Sequence, residues 1–341
     1  MINYQLNYNA VNLIKKICFV LFACLLITAC KEDTTSTPVE ETSPVTKRKV
    51  PKFIQDNAYA LVQKQVDFGP RYPGTEAHKE LIEYLATEME KYTDEVIRQE
   101  FKVSFLDETN VDATNIIGVV NPDKKKRILL CAHFDTRKVA EKDEEESMRD
   151  KPILGADDGA SGVAVLLEIA RLIKENGIDV GVDFVLFDAE DNGDSGTGEN
   201  WCLGAKHWAK NPHKKGYKAE FGILVDLVGA KNAEFGKEGY SMQSASKYVN
   251  YIWDLAAKMS YGNYFIDMDS GAVEDDHRYV IEYLRIPMLD IINMSRSGER
   301  NGFDSYHHTH DDNMNIIDKN TLKAVGKVVT ATVYHFSNGR I

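Results

Sequence analysis

Side chains that bind metals or carry protons recur at the ends of short apolar runs in this 341-residue chain. In chain order they are His133, Asp135, Asp157, Asp158, Asp188, Glu190, Asp191, Asp226, Glu274, Asp275, Asp276, His277, His307, His308 and His310. Taken singly, an aspartate or a histidine at a strand end is most often a turn former or a solvated residue. Together they form a set of imidazoles and carboxylates without cysteine, which suits a zinc ion bound through nitrogen and oxygen.

The stretch from Gly155 to Gly162 is a turn rich in small residues that carries Asp157 and Asp158 to the start of a helix. Apolar residues at helical spacing with no proline predict that helix. Carboxylates are favoured at a helix N-terminus by the free N–H groups and the positive end of the dipole. For this stretch alone, a simple helix cap and a metal ligand therefore remain equal alternatives.

Strands and helices alternate around these residues. We predict helices at 53–68, 75–92, from the Asp158 turn to about 176, and at 201–210, 244–259, 277–284 and 319–336. We predict strands at 95–105, 115–120, 127–131, 182–187, 221–228 and 287–292. Apolar strands that alternate with helices imply a sheet covered on both faces. The expected fold is α/β, with three α/β/α layers and a mostly parallel, mixed central sheet, whose site lies beyond the carboxyl ends of the strands.

The first 30 residues are typical of an export signal rather than of a folded element. Two lysines precede the apolar run 17–29, which is too short to span a bilayer. The run ends Ile27-Thr28-Ala29-Cys30 and resembles a bacterial lipobox, in which the cysteine becomes the lipidated first residue of the mature chain. An ordinary secretory signal cut nearby, or a lone anchor, stays open.

Residues 31–50 are rich in Thr, Ser, Pro, Glu and Lys, which favours a flexible tether. The remaining 51–341 are long enough for one α/β domain with a buried core. If Cys30 is lipidated, the lipid is the contact with the membrane. The chain is then a lipoprotein of a Gram-negative cell envelope, either periplasmic or exposed on the surface.

Charge and cysteine content narrow the classes of protein further. The net charge is −12 and no basic stretch carries interleaved aromatics, so nucleic acid is not an expected partner. Three of the five cysteines fall in the leader, which leaves Cys131 and Cys202. A disulfide scaffold and a cysteine-type zinc site are thereby excluded. A bond between these two cysteines and a pair of buried thiols remain alternatives.

The order of the motifs resembles that of zinc aminopeptidases with the exopeptidase-like α/β fold. The motifs are Arg71-Tyr72-Pro73-Gly74-Thr75, Ala132-His133-Phe134-Asp135-Thr136, Gly155 to Gly162, Ala189-Glu190-Asp191, Val225-Asp226-Leu227-Val228-Gly229, Asp276-His277 and His308-Thr309-His310-Asp311-Asp312. Within that superfamily the chain looks most like the bacterial glutaminyl cyclases. Asp275 before Asp276-His277, Ala230 after the Asp226 motif, and Asn313 after Asp311-Asp312 point to them.

The resemblance implies a role for each matching position. Asp158, Asp191 and His308 would bind one zinc ion, and Glu190 would be the general acid and base. Asp226 and Asp275 would form a hydrogen-bonded acidic pair beside that glutamate, as catalytic residues.

The resemblance does not decide whether a second metal binds or which residues form the wall of the substrate pocket. His133 and Asp226 match ligands of the second zinc in dinuclear aminopeptidases, whereas cyclases lack that ion. In animal cyclases a tryptophan precedes the histidine ligand, and here this position is His307. The substrate-binding candidates are Trp201, Glu274, Tyr306 and His307, although Trp201 at a helix start is equally compatible with the core.

The implied activity is cyclisation of an N-terminal glutamine of peptides or proteins to pyroglutamate, with release of ammonia. A dinuclear zinc aminopeptidase is the first alternative, and a surface lipoprotein that binds peptides or sugars without catalysis is the second. We expect the acidic stretch 141–150 to be a solvated excursion rather than a lid.

Overall fold

The computed structural model describes residues 47–295 and 302–341, which belong to the compact unit Thr46–Ile341. The predicted signal segment, Cys30, and the predicted tether up to residue 46 lie outside the described residues, as do residues 296–301. Among the described helices, none combines the length and the apolar character needed to cross a bilayer.

A six-stranded mixed sheet forms the centre of the domain, in the order β1-β2-β4-β3-β5-β8. Its strands are β1 Glu95–Phe105, β2 Glu108–Val120, β3 Arg127–His133, β4 Gly181–Phe187, β5 Phe221–Asp226 and β8 Met288–Ile292. The four strands β4, β3, β5 and β8 run parallel, and the antiparallel hairpin β1–β2 extends one edge. The predicted α/β fold with a mostly parallel, mixed sheet is confirmed.

Seven α-helices are described. They are α1 Gln55–Val66, α2 Glu76–Tyr92, α3 Ala160–Asn176, α4 Leu203–Lys210, α5 Gly239–Lys258, α6 Asp276–Leu284 and α7 Lys319–Ser337. The side chains of β3 alternate between two cores: Ile128 and Leu130 pack with α1, α2, α3, α5 and α7, whereas Leu129 and Cys131 pack with α4 and α6. Because successive strand residues face opposite sides, this alternation produces the three layers that the apolar strands predicted.

A second, smaller sheet was not predicted from the sequence. It contains β6 Phe235–Glu238, β7 Phe265–Gly271, β9 Met294–Ser295 and β10 Gly302–Phe303, in the order β10-β9-β6-β7. Strands β6, β9 and β10 have only two to four residues, and the middle of β7 is exposed, so none of them shows the apolar run that marks a central strand. Strand β2 begins at Glu108, whereas the predicted strand began at residue 115. The additional residues are mostly polar, so no apolar run marks them in the sequence.

The N-terminus of α3 lies unusually close to β5. A Cβ atom added at Gly162 would come within 2.2 Å of the Val225 carbonyl oxygen, so only glycine fits there. This close approach carries the Asp157-Asp158 turn to the end of β5, where Asp226 stands. Neither aspartate caps the helix, whose N-cap is Gly159. The helix-cap alternative is therefore wrong for this turn.

Candidate active site

A cleft of about 360 Å³ opens beyond the carboxyl ends of the parallel strands. Most of the residues that the sequence singled out line it together, namely Asp158, Glu190, Asp191, Trp201, Asp226, Glu274, Asp275, His307 and His308. These residues come from four loops and from the last position of β5, and they meet in one place, as expected at the carboxyl edge of a parallel sheet.

The three predicted zinc ligands lie side by side at the base of the cleft. The Nε2 atom of His308 is 3.1 Å from Asp191 Oδ1 and 3.9 Å from Asp158 Oδ2. The other carboxylate oxygen of Asp191 is buried and has no hydrogen-bond partner in the described structure. Burial and the nearby charge of Asp158 raise the pKa of Asp191, although His308 opposes this shift. A buried oxygen without a partner, beside an imidazole and a second carboxylate, fits a zinc ion.

Two further groups converge on Asp158. The Nε2 atom of His133 lies 3.1 Å from Asp158 Oδ1 and 3.1 Å from Asp226 Oδ1. These are the residues that a second metal would need, so the structure also assembles the site of the aminopeptidase alternative. Burial raises the pKa of Asp226 to about 7, against the opposing effect of His133. His307 is close as well, with Nε2 3.9 Å from Asp158 Oδ2.

Glu190 is presented by a tight turn after β4. Ala189 has a positive φ of 54°, and Asp135, beyond the end of β3, accepts the Glu190 N–H at 2.9 Å. The Cys202 thiol donates to Glu190 Oε1 at 3.3 Å. Burial raises the pKa of Glu190 well above its usual value, while the His133 charge acts in the opposite direction. The sequence had assigned no role to Asp135, although it lies in the same motif as His133.

The predicted hydrogen bond between Asp226 and Asp275 is not formed in the described structure, so this part of the prediction needs correction. Asp226 is held by His133, and Asp275 accepts from the Asp276 N–H as the N-cap of α6. Both carboxyls nevertheless face the cleft, and Asp275 lies next to Glu190. Burial raises the pKa of Asp275.

Aromatic rings form one wall of the cleft. The ring of His307 stacks between Phe303, with centroids 4.0 Å apart, and His308, with centroids 3.7 Å apart. On the other side of His308, the Trp201 ring lies parallel to it at 5.9 Å. Trp201 therefore belongs to the cleft wall and not only to the core. Phe303 was missed, since no motif marks it.

Tyr306 does not line the cleft, contrary to its prediction as a pocket residue. It is buried, and its hydroxyl donates to Asp157 and accepts from Asn293. The backbone turn at His307 and His308 points the tyrosine inward, behind the metal-ligand candidates. Cys131 and Cys202 are two free buried thiols, so the disulfide alternative is wrong.

The acidic stretch 141–150 is only partly the solvated excursion that we expected. Residues 144–147 are exposed, and so is Lys142, but Glu141 and Asp143 are half-buried. The side chains of residues 141, 142 and 143 contact His308, His307 and His310 respectively. The sequence carries no signal for this pairing.

A three-layer α/β domain with imidazoles and carboxylates gathered at the carboxyl edge of its sheet defines the class of the zinc-exopeptidase-like proteins. Residues 115–333 match peptidase family M28, and the chain belongs to that family. The predicted resemblance to bacterial glutaminyl cyclases is confirmed by the individual relatives.

Solved structures of bacterial proteins are similar over most of the chain. The glutaminyl cyclase of Tannerella forsythia is 47% identical with a TM-score of 0.80, and the match covers 83% of this chain and 99% of that one. The glutaminyl cyclase of Porphyromonas gingivalis is 45% identical with a TM-score of 0.80, covering 85% and 99%. A Zn-dependent exopeptidase from Parabacteroides distasonis is 47% identical with a TM-score of 0.81, covering 84% and 99%.

More distant relatives include members of both activity classes. Glutaminyl-peptide cyclotransferase of Drosophila melanogaster is 26% identical over 285 residues, 76% of this chain and 75% of that protein. Aminopeptidase YwaD of Bacillus subtilis is 27% identical over 237 residues, 66% of this chain but only 45% of that protein.

Proposed function

We propose that this chain is a zinc-dependent glutaminyl-peptide cyclotransferase, which converts the N-terminal glutamine of peptides or proteins to pyroglutamate and ammonia. The observation that carries the proposal is the meeting, in one cleft, of Glu190 with the group Asp158, Asp191 and His308. The solved cyclases at 45–47% identity support it.

Asp158, Asp191 and His308 would hold one zinc ion. When bound, zinc supplies a Lewis acid that polarises the side-chain amide carbonyl of the substrate. One buried carboxylate oxygen of Asp191 has no hydrogen-bond partner among the described residues, so it is available to bind a cation.

Glu190 carries the proton through the reaction. It accepts a proton from the substrate α-amine as that nitrogen attacks the side-chain amide carbon, and a new C–N bond closes a five-membered ring. It then returns the proton to the amide nitrogen, whose C–N bond breaks, so that ammonia leaves. The attack is intramolecular, and holding the substrate folded therefore supplies much of the acceleration.

The cleft wall provides that restraint. The rings of Phe303, His307 and Trp201 would cover the small ring as it closes and exclude water from it. Glu274 lies at the same cleft, while Asp226 and Asp275 place two further carboxyls near Glu190.

A second candidate function is a dinuclear zinc aminopeptidase. The contacts of His133 with Asp158 and Asp226 favour it, because they assemble donors for a second ion. This reaction would need two zinc ions and a water nucleophile.

One assay separates the two candidates. The purified chain, loaded with zinc, is incubated with a peptide that begins with glutamine and, in parallel, with one that begins with leucine. Ammonia release with loss of mass and no shortening supports the cyclase. Shortening of the leucine peptide without cyclisation supports the aminopeptidase and overturns our proposal.

We further propose that lipid on Cys30 anchors the mature chain to the cell envelope and that the residues between Cys30 and the compact unit act as the tether. The tether expected to reach residue 50 ends earlier, because Arg48 already binds Asp179 and Asn338 of the domain. The lipobox-like sequence before Cys30 supports this. Mass spectrometry of the mature N-terminus tests it: an acylated Cys30 is expected, and a cleaved, unmodified N-terminus would contradict it.

A further inference from the structure

The side chain of Glu141 is held beside the predicted metal ligand His308. Its Oε1 atom lies 2.8 Å from His308 Nδ1 and also accepts from the Ser195 hydroxyl at 2.8 Å. Its Oε2 atom accepts from Arg137 Nε at 2.6 Å. The contacts with Ser195 and Arg137 thus hold the Glu141 carboxylate beside the Nδ1 atom of His308.

The next residue in the chain contacts the other histidine. Lys142 Nζ lies 2.6 Å from His307 Nδ1, and the Lys142 N–H donates to the His308 carbonyl. Asp143 adds a third contact, since its carboxylate accepts from the backbone N–H of His310 at 3.1 Å and lies 2.8 Å from its Nδ1. Residues 141–143 therefore hold residues 307–310 side by side.

The contacts at the Nδ1 atoms of His308 and His307 require opposite directions of hydrogen bonding. A carboxylate only accepts, so His308 must carry its proton on Nδ1, toward Glu141. An ammonium only donates, so His307 must accept on Nδ1 and, as a neutral ring, carry its proton on Nε2. Both Nε2 atoms lie 3.9 Å from Asp158, and when both rings are neutral only the Nε2 atom of His308 has a lone pair. Before metal binds, a second proton on that ring can bridge Nε2 and Asp191 Oδ1, 3.1 Å away, and zinc would displace this proton.

The backbone at His308 also needs support from outside its own segment. Its φ is +60°, a left-handed conformation that a residue with a side chain seldom adopts. The contacts from 141–143 hold the ring from the side opposite Asp191, whose Oδ1 is 3.1 Å from Nε2.

We propose that Glu141 and Lys142 assign opposite tautomers to His308 and His307, so that His308 alone offers a ring nitrogen to the metal. Glu141 is then the positioning residue of the site, and the inference rests on the zinc site of the proposed function. A hydrogen-bonded carboxylate behind a metal-binding histidine fixes the orientation of the ring and raises its basicity.

The first test measures zinc affinity rather than turnover. The chain is stripped of metal and titrated with zinc against a chromophoric chelator, for wild type, Glu141→Ala, Glu141→Gln and the control Glu144→Gln. Glu144 is exposed in the same loop and its change removes the same charge. We expect roughly a 10–100-fold higher Kd for Glu141→Ala, a smaller rise for Glu141→Gln, and the wild-type Kd for the control.

The second test observes the tautomers directly. Long-range ¹H–¹⁵N spectra of the zinc-loaded chain with labelled histidines should show the proton of His308 on Nδ1 and that of His307 on Nε2. In Lys142→Met the His307 proton is free to move to Nδ1, whereas His308 should keep its tautomer.

The outcomes separate this inference from the proposed function. If wild type binds no zinc, both fail. If wild type binds zinc and Glu141→Ala, with an unchanged circular dichroism spectrum, binds it equally well, only the inference fails. Should Glu141→Ala not fold, Glu141→Gln keeps the volume of the side chain, and wild-type affinity together with an Nε2–H tautomer of His308 overturns the inference.

Discussion

The carboxylate of Asp135, beyond the end of β3, accepts the backbone N–H of Glu190 at 2.9 Å. The same carboxylate accepts from Asp191 N–H at 3.3 Å and from the Asn192 side chain at 2.9 Å. One fully buried aspartate therefore holds the loop that carries both the proposed acid and base and a proposed zinc ligand. The precision of the site depends on a residue that does not face the cleft.

We expect Asp135→Ala to reduce both stability and turnover. Three donors would lose a buried acceptor, and the free energy of unfolding should fall by about 1–3 kcal/mol or more. Because the loop loses its anchor, kcat should fall even at temperatures where the variant is folded. Urea unfolding and steady-state kinetics measure the two effects. Asp150→Asn, at an exposed position, serves as the control, and a wild-type kcat for Asp135→Ala would contradict the positioning role.

We expect Glu190→Gln to abolish turnover while zinc binding persists. The amide keeps the shape of the side chain but cannot accept the proton, and general acid–base catalysis of this kind contributes about 10²–10⁴-fold. The measurement combines ammonia release with metal analysis of the same sample. Turnover near the wild-type rate would remove Glu190 from its proposed role.

We expect one zinc ion per chain and complete dependence of activity on it. Dialysis against a chelator should remove both metal and activity, and zinc should restore them together, since Asp158, Asp191 and His308 offer one set of ligands. Atomic absorption of the reconstituted chain gives the stoichiometry. Two ions per chain, with the second lost in His133→Ala, would instead favour the aminopeptidase.

We expect the buried pair Glu238 and His277 to make the free energy of unfolding decrease as the pH is lowered. Burial by itself raises the pKa of Glu238, but His277 and Ser241 outweigh it and lower that pKa to about 2. The folded state then binds this proton less readily than the unfolded state. The pair stabilises the protein above the unfolded pKa of about 4.3, and the contribution is lost as the pH falls toward about 2.

The size of this effect can be measured. A pKa of Glu238 of about 4.3 in the unfolded state and about 2 in the folded state corresponds to roughly 3 kcal/mol of folding free energy at neutral pH. Urea unfolding of wild type and Glu238→Gln between pH 7 and pH 3 should show a steeper loss of stability on acidification in the wild type. An equal loss of stability with falling pH in the two proteins would contradict the lowered pKa of Glu238.

The sequence by itself determined the central sheet and the identity of the site. Apolar runs such as 127–131 and 182–187 mark strands buried on both faces, and the residues that follow them must meet because parallel strands share a carboxyl edge. Each motif is short and local, which is why His133, Asp158, Glu190 and Asp226 could be assigned to one cleft before the structure was known.

Only the tertiary structure decided which side chains pair inside that cleft. Asp226 contacts His133 rather than Asp275, and Tyr306 turns away from the cleft toward Asp157. Local spacing places a residue at a strand end, but it carries no information on rotamers or on distances between separate loops.

The contact between Glu141 and His308 shows the same limit most clearly, since it joins residues 167 positions apart. In the sequence, Glu141 is one of several acidic residues in a charged stretch and is indistinguishable from Glu144. Its role arises because the loop after β3 and the segment before α7 converge at the same sheet edge. That convergence follows from packing across the whole domain, and no local pattern encodes it.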